Sequence, residues 1–219
     1  MAQRKYDLII FDWDGTIINS EAHIIHAMQM AIFDEGLVLP SEQKIRHIIG
    51  LSLSRAIETL FPGISEETNN RVADSYREHF FSESTSTSSV SELFDGVADV
   101  IKDLHAHGYY LAVATGKGRQ GLNLALRHSG LEPFFHVTRC ADETRSKPDP
   151  LMLNEILTDL DLHSSKAIMV GDTSYDMEMA NNIQMDSVAV TYGMHDKSHL
   201  QNSKPTYFID NIDQLSQFV

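Results

Sequence analysis

Apolar and polar positions along this chain change period several times, and each change marks an element. Short, largely apolar runs recur between turn signals: "YDLIIF" (6–11), "YYLAVA" (109–114), "FFHVTRC" (134–140), "KAIMV" (166–170) and "SVAVT" (187–191). Runs of this kind predict strands buried mostly on both faces, as in a parallel sheet. "TYFI" (206–209) is a weaker sixth. Between them the period lengthens to that of a helix. In "GVADVIKDLHAHG" (96–108), Val97, Val100, Ile101 and Leu104 share one face and the pattern stops at a glycine. "RQGLNLALRHSG" (119–130) repeats it, "DPLMLNEILTDL" (149–160) opens with proline in its first turn, and "MEMANNIQM" (177–185) spaces its methionines at helical, core-forming intervals. Strands alternating with helices imply βαβ units: an α/β fold with a doubly wound, Rossmann-like parallel sheet.

One stretch breaks the alternation. From about 18 to 90 there is no strand pattern, only helical segments near 20–34, 42–49, 52–60 and 65–81, followed by the Ser/Thr-rich "SESTSTSSVSE" (82–92). The expected organisation is therefore a core made of residues 1–17 and 91–219, with a helical cap domain at 18–90 that ends in a return linker. The helices either form a layer packed permanently on the core or a mobile cap hinged near Ile17–Ser20 and Ser82–Glu92.

Composition narrows the functions open to such a fold. The 219 residues carry 17 Lys plus Arg against 31 Asp plus Glu, a formal net charge of −14. That argues against nucleic acid or an anionic membrane as partner, since both need a cationic footprint. A small anionic substrate needs only a few local cations or a metal. A single cysteine, Cys140, excludes an intrachain disulfide and reads as a buried strand residue. No apolar run approaches a membrane span and nothing at the start reads as a signal peptide, so the expected location is the cytoplasm.

Ligands of open parallel sheets bind beyond the carboxyl ends of the strands, so the residues that follow each strand matter most. After the first run come Asp12 and Asp14, on a turn permitted by Gly15; after the second come Thr115, Gly116 and Lys117; then "SKPDP" with Lys147, and "GDTSYD" with Asp172 and Asp176. Two carboxylates about 6 Å apart repel by roughly 3 kcal/mol at an effective dielectric of 20. A hard cation offsets that repulsion, and Mg²⁺ takes carboxylates, waters and a phosphate oxygen. A lysine, a hydroxyl and backbone N–H groups beside it are the equipment for phosphoryl transfer. "GKGRQG" (116–121) is not a Walker A loop, because Leu111 stands where its first glycine would be and no Ser or Thr follows Lys117.

The ordered set "DWDGT", "ATGK", "SKPDP" and "GDTSYD", together with the long helical insertion, resembles the four motifs and C1 cap of the haloacid dehalogenase-like hydrolases, phosphoglycolate-phosphatase-like members in particular. The resemblance spans essentially the whole chain. It implies that Asp12 is a nucleophile forming an aspartyl-phosphate, and that Asp14 is the acid and then the base. Thr115 and the Gly116 N–H would hold the phosphoryl group, with Lys147 pairing with Asp12. Mg²⁺ would be bound by Asp12, the Asp14 carbonyl and Asp172, with Asp176 acting through a water or by orienting Lys147. Asp14 disfavours C–halogen cleavage, and Thr16 follows the phosphatase rather than the mutase habit. Trp13 is expected to pack beneath the loop.

On the cap, Arg55 is the candidate cation for an anionic leaving group, weighed against a surface ion pair. Lys117 either touches substrate or lies on the following helix. His23 and His26 stand on the first cap helix. The expected activity is a phosphatase acting on a small phosphate ester, as monomer or homodimer. A sugar-phosphate mutase and a phospho-accepting regulatory protein are the alternatives.

Overall fold

The computed structural model describes residues 4–84 and 92–219. A six-stranded, wholly parallel sheet runs in the order β5 (Val137–Cys140), β4 (Tyr110–Thr115), β1 (Leu8–Phe11), β6 (Ala167–Gly171), β7 (Asp186–Val190), β8 (Tyr207–Ile209). The apolar runs lie where alternation buries both faces. Ile9 and Phe11 point into a cluster with Val97, Ile101 and Leu104 of α5 (Val97–Ala106) and with Leu122 and Leu126 of α6 (Arg119–Ser129). Leu8 and Ile10 point the other way, onto Met152, Leu153 and Ile156 of α7 (Leu151–Asp159) and Met179 of α8 (Ser174–Asn181). The α/β class and the Rossmann-like winding thus follow from the pattern of the sequence.

The sheet positions the site through its order. The chain proceeds outward from β1 to β4 and β5, then returns to β6 on the other side of β1 and proceeds outward again. β1 is therefore the switch point, and a crevice opens beyond its carboxyl end. Register aligns the strand ends there: Phe11 pairs with Val113 of β4 and with Val170 of β6. Asp12, Thr115 and Asp172 consequently leave the sheet within a residue or two of one level.

Between β1 and β4 the chain forms a short antiparallel ribbon, β2 (Ile18–Asn19) with β3 (Glu92–Leu93), and between those two strands the described residues form four helices: α1 (Glu21–Asp34), α2 (Glu42–His47), α3 (Leu53–Leu60) and α4 (Glu66–Ser84). These helices gather their own apolar cluster, including Ile24, Met28 and Ile32 of α1, Ile45 of α2, Ile57 of α3 and Val72 of α4. The return-linker expectation falls largely on residues 85–91, outside the described residues. Two features went unread in the sequence: the β2–β3 ribbon, too short for any periodicity, and α9 (Lys197–Asn202), a polar helix that buries only Leu200. The fifth strand starts later than expected, because Glu132–Phe134 forms a 3₁₀ turn around Pro133. Among the described residues no helix is long and apolar enough to cross a membrane.

Candidate active site

Asp12 stands immediately after β1 and is buried. Its Oδ1 accepts a hydrogen bond from the Trp13 N–H at 2.7 Å and lies 2.8 Å from Lys147 Nζ. Lys147 Nζ also lies 2.6 Å from Asp176 Oδ1. Asp176 is fixed from its other oxygen: Oδ2 accepts from the Thr173 N–H at 3.1 Å and from Thr173 Oγ1 at 2.7 Å, as part of the capping box that starts α8. The helix start thus aims one carboxylate oxygen at Lys147. Asp172 Oδ1 accepts from Thr16 Oγ1 and Oδ2 from the Met194 N–H, both at 2.8 Å. Gly15 has φ +86°, and a side chain there would collide with the Asp172 carboxylate, so only glycine lets the Asp12–Asp14 turn press against it.

Asp14 looks the other way. Both of its oxygens accept from Lys117 Nζ at 3.0 Å, and Oδ1 also accepts from Ser20 Oγ at 2.8 Å. Lys117 is mostly buried and lies beneath the helical block, with Phe80 of α4 placing its ring centroid 4.7 Å from Nζ. Phe80 in turn stacks on His23 of α1 at 4.1 Å and on Tyr76 at 5.7 Å. Burial first, and then the charge of Asp14, hold the Tyr76 hydroxyl protonated. The Thr115 Oγ1 accepts from the Lys117 N–H at 3.2 Å. Gly116 lies directly under the loop between α2 and α3: a β-carbon there would stand 2.6 Å from the Leu51 carbonyl oxygen and collide with that of Gly50.

The structure thus brings Asp12, Asp14, Thr115, Gly116, Lys117, Lys147, Asp172 and Asp176 to one edge. Arg55 is not among them. Its guanidinium is exposed and pairs with Glu58 Oε2 at 2.6 Å on the same helix, so it is a surface ion pair in this arrangement. His26 lines an open groove with Asn19, Glu21 and Glu42. Trp13 is buried in the main cluster, in an edge-to-face arrangement with Phe135 at 6.1 Å between ring centroids. Cys140 is buried at the end of β5, where burial pushes its thiol up to about 12 and leaves it unreactive.

Electrostatics distinguishes this edge from ordinary surface. Burial is the largest influence on Asp12 and Asp176's charge adds to it; together they outweigh Lys147 and push Asp12 up to about 7. Burial, then the charges of Asp12 and Asp176, lift Asp172 well above the usual carboxylate range. Burial alone would lower Lys147, but the Asp12 and Asp176 carboxylates outweigh it and keep the ammonium charged. With all three carboxylates ionised, the one ammonium would leave two negative charges uncompensated, which is why these groups hold their protons so strongly. Asp12, Asp172 and Asp176 present oxygens within 4.8 Å of one another, and buried Asp12 Oδ2 has no hydrogen-bond partner among the described residues. That is the donor set and the charge deficit that a hard divalent cation fits.

A second cluster, His47, His195 and His199, also brings ring nitrogens within 4.8 Å. There, however, His195 Nδ1 accepts from the Ser174 N–H at 3.0 Å, so Nε2 carries the proton and donates to the His47 carbonyl at 3.1 Å. Burial pushes His195 down to about 4. With both nitrogens of His195 engaged, the trio packs the helical block against α8 and α9 and is not an open metal site.

Sequence reasoning missed Ser20, Tyr76, Phe80 and Met194. A hydroxyl or an aromatic ring on a helix carries no local signal of what it will face, and the contribution of Met194 is a backbone amide.

The family described as haloacid dehalogenase-like hydrolase matches residues 9–190. The chain is 29% identical over 209 residues to the protein named Probable phosphatase IndB of Dickeya dadantii, covering 95% of this chain and 91% of that one. It is 27% identical over 212 residues to the pyrophosphatase PpaX of Bacillus anthracis, covering 96% and 95%. A crystal structure described as a predicted phosphoglycolate phosphatase from Haemophilus somnus superposes with a TM-score of 0.84 at 22% identity, covering 99% of both chains, and so shares the fold.

Proposed function

Because the chain belongs to the haloacid dehalogenase-like hydrolase family, we propose that it is a Mg²⁺-dependent phosphatase that hydrolyses a small phosphate monoester through an aspartyl-phosphate on Asp12. The observation that carries the reading is the division of labour at Asp12. One oxygen is tied to Lys147 and the Trp13 amide, while the other is buried at the focus of the strand ends with no hydrogen-bond partner among the described residues.

In the first step an Asp12 oxygen attacks phosphorus, the P–O bond to the leaving group breaks, and the leaving oxygen takes a proton from Asp14. In the second, a water oxygen attacks the same phosphorus and gives its proton to Asp14. The P–O bond to Asp12 breaks and inorganic phosphate is released, restoring the carboxylate. Thr115 Oγ1 and the Gly116 N–H hold phosphoryl oxygens through both steps, and Lys147 steadies Asp12 and the developing charge. Asp12, the Asp14 carbonyl and Asp172 would hold Mg²⁺, which supplies neutralisation of the phosphoryl oxygens. Asp176, with both oxygens engaged by Lys147 and Thr173, acts through Lys147 or a bound water. The Lys117–Asp14 pair must open for the leaving group to reach Asp14, which puts Lys117 beside the substrate.

In this reading residues 18–90 are a cap domain over a core of 1–17 and 91–219, and Tyr76, Phe80 and His23 wall the leaving-group side. The relatives include proteins named for pyrophosphate and for phosphoglycolate. The test is therefore phosphate release from a panel holding both of these, sugar phosphates and nucleoside monophosphates, with and without Mg²⁺. Release that requires Mg²⁺ and falls at least about 10³-fold in Asp12→Asn is expected. Isomerisation of a sugar phosphate, or a stable phosphoprotein without turnover, would replace the phosphatase reading with a mutase or a regulatory one.

A further inference from the structure

Asp172 is held at both oxygens, and the two donors have different histories. Thr16 Oγ1 belongs to the same turn as Asp12 and Asp14. The Met194 N–H belongs to the loop after β7, residues 191–196, in which Gly193, Met194 and His195 also meet the helical block. Its neighbour Gly193 accepts a hydrogen bond at its carbonyl from Arg46 Nη2 of α2, at 3.1 Å. The side chain of Met194 itself, 3% exposed, is buried in the apolar cluster of the block with Ile24, Met28, Ile45 and Ile49. His195 then donates from its ring to the His47 carbonyl, while its N–H meets the Asp172 carbonyl at 3.3 Å. Three successive residues of one loop thus touch the block on one side, and two of them hold Asp172 on the other.

We propose that this loop couples docking of the helical block to the placement of Asp172, with Met194 as the positioning residue. The inference rests on reading Asp172 as a metal ligand. The amide and the side chain of Met194 share one α-carbon, so a shift of the thioether out of the block's cluster carries the amide with it. Without the docked block, Asp172 Oδ2 loses its donor and the carboxylate is left with the single anchor of Thr16 Oγ1. Partners that orient a metal ligand typically affect affinity by one to two orders of magnitude. Coupling of this kind is reciprocal, so a divalent cation on Asp172 favours the docked block by the same factor. The cap would then be read by the metal site as well as by the substrate.

The test is binding of Mn²⁺ alone to the full chain, without substrate, followed by electron paramagnetic resonance, in wild type, Met194→Ala, Met194→Leu and Arg46→Ala, with Asp172→Asn as reference. Met194→Ala keeps the N–H and removes the anchor, and its dissociation constant is expected to rise roughly ten-fold. Met194→Leu, which refills the cluster, should return to within about two-fold of wild type, and Arg46→Ala should show a smaller rise in the same direction. A folded Met194→Ala protein that melts earlier but binds Mn²⁺ like wild type would reduce Met194 to packing and overturn the proposal. Should Met194→Ala fail to fold, unchanged Mn²⁺ binding in Arg46→Ala overturns it equally. Wild type binding no better than Asp172→Asn would remove the metal reading itself and the proposal with it, an outcome distinct from the other two.

Discussion

Lys147 and Arg55 each hold a carboxylate at 2.6 Å, Asp176 in one case and Glu58 in the other. The equal distances conceal opposite physics, because the two pairs belong to different regions of the molecule. Lys147 sits at the strand-end edge, buried among carboxylates that are themselves buried. Arg55 lies on the outer face of α3, where solvent screens both partners and either charge survives alone. Both residues are basic and both are candidates in the sequence. What separates them is how much else depends on their charge. The strand-end edge is a buried network in which each group fixes its neighbour, whereas Arg55 and Glu58 form one exposed pair on a helix face.

The comparison breaks most directly at Lys147. Lys147→Ala leaves three buried carboxylates facing one another, and removing one partner of a buried pair costs about 3–5 kcal/mol. Urea denaturation in the presence of a chelator should show that loss, and phosphate release should fall at least about 10³-fold. A smaller effect follows where the two regions meet. Gly116→Ala sets a methyl against the Gly50 and Leu51 carbonyls, which are backbone and cannot rotate aside. A drop of about ten-fold or more in kcat/KM is expected with little change in melting temperature, since a small misplacement at a closed site is costly.

The edge should also be the more sensitive of the two regions to pH. Asp12 is pushed up to about 7 in the metal-free fold, above its unfolded value. Its contribution to metal-free stability is therefore full below the unfolded value and lost as pH rises through about 7. A cation must displace the proton below that pH and need not above it. The rise in melting temperature caused by Mg²⁺ should accordingly grow between pH 5.5 and 8.5, and a shift constant over that range would remove Asp12 from the metal site. The smallest expectation belongs to the surface pair: Arg55→Ala should change kcat/KM by less than about two-fold and stability by under about 0.5 kcal/mol. A large loss of activity there would mean that the helix face turns inward when substrate binds.

The same contrast explains what the sequence made legible. Four-residue apolar runs such as Leu8–Phe11 must be buried on both faces, so β1 and the carboxylates after it were placed by pattern alone. Asp172 was found because a strand end leaves little choice of direction, and Lys147 and Asp176 because they complete an ordered set of motifs that no one of them would carry alone. Arg55 was a weaker candidate because a helix surface offers no such constraint. Ser20, Tyr76 and Phe80 became part of the site only when the block docked, through contacts between residues far apart in the chain. Met194 shows the limit most clearly: its side chain reads as core and is core, yet the atom that matters to Asp172 is its amide hydrogen, which every non-proline residue has.

The short β2–β3 ribbon has a consequence for how such a molecule changes over generations. Ile18 faces Leu93 and Asn19 faces Glu92, so the chain departs from the sheet and returns to it through adjacent strands. Cut at that neck and closed with a tight turn, the remainder is an ordinary hairpin attached to an intact sheet. The entropy of closing a loop grows only by about 0.6 kcal/mol per doubling of its length. A cassette hung from this neck can be lengthened, shortened or exchanged with little penalty to the folding of what lies beneath. Under the proposed function, selectivity and chemistry would be carried on separately replaceable pieces, and the junction that permits the exchange is four residues wide.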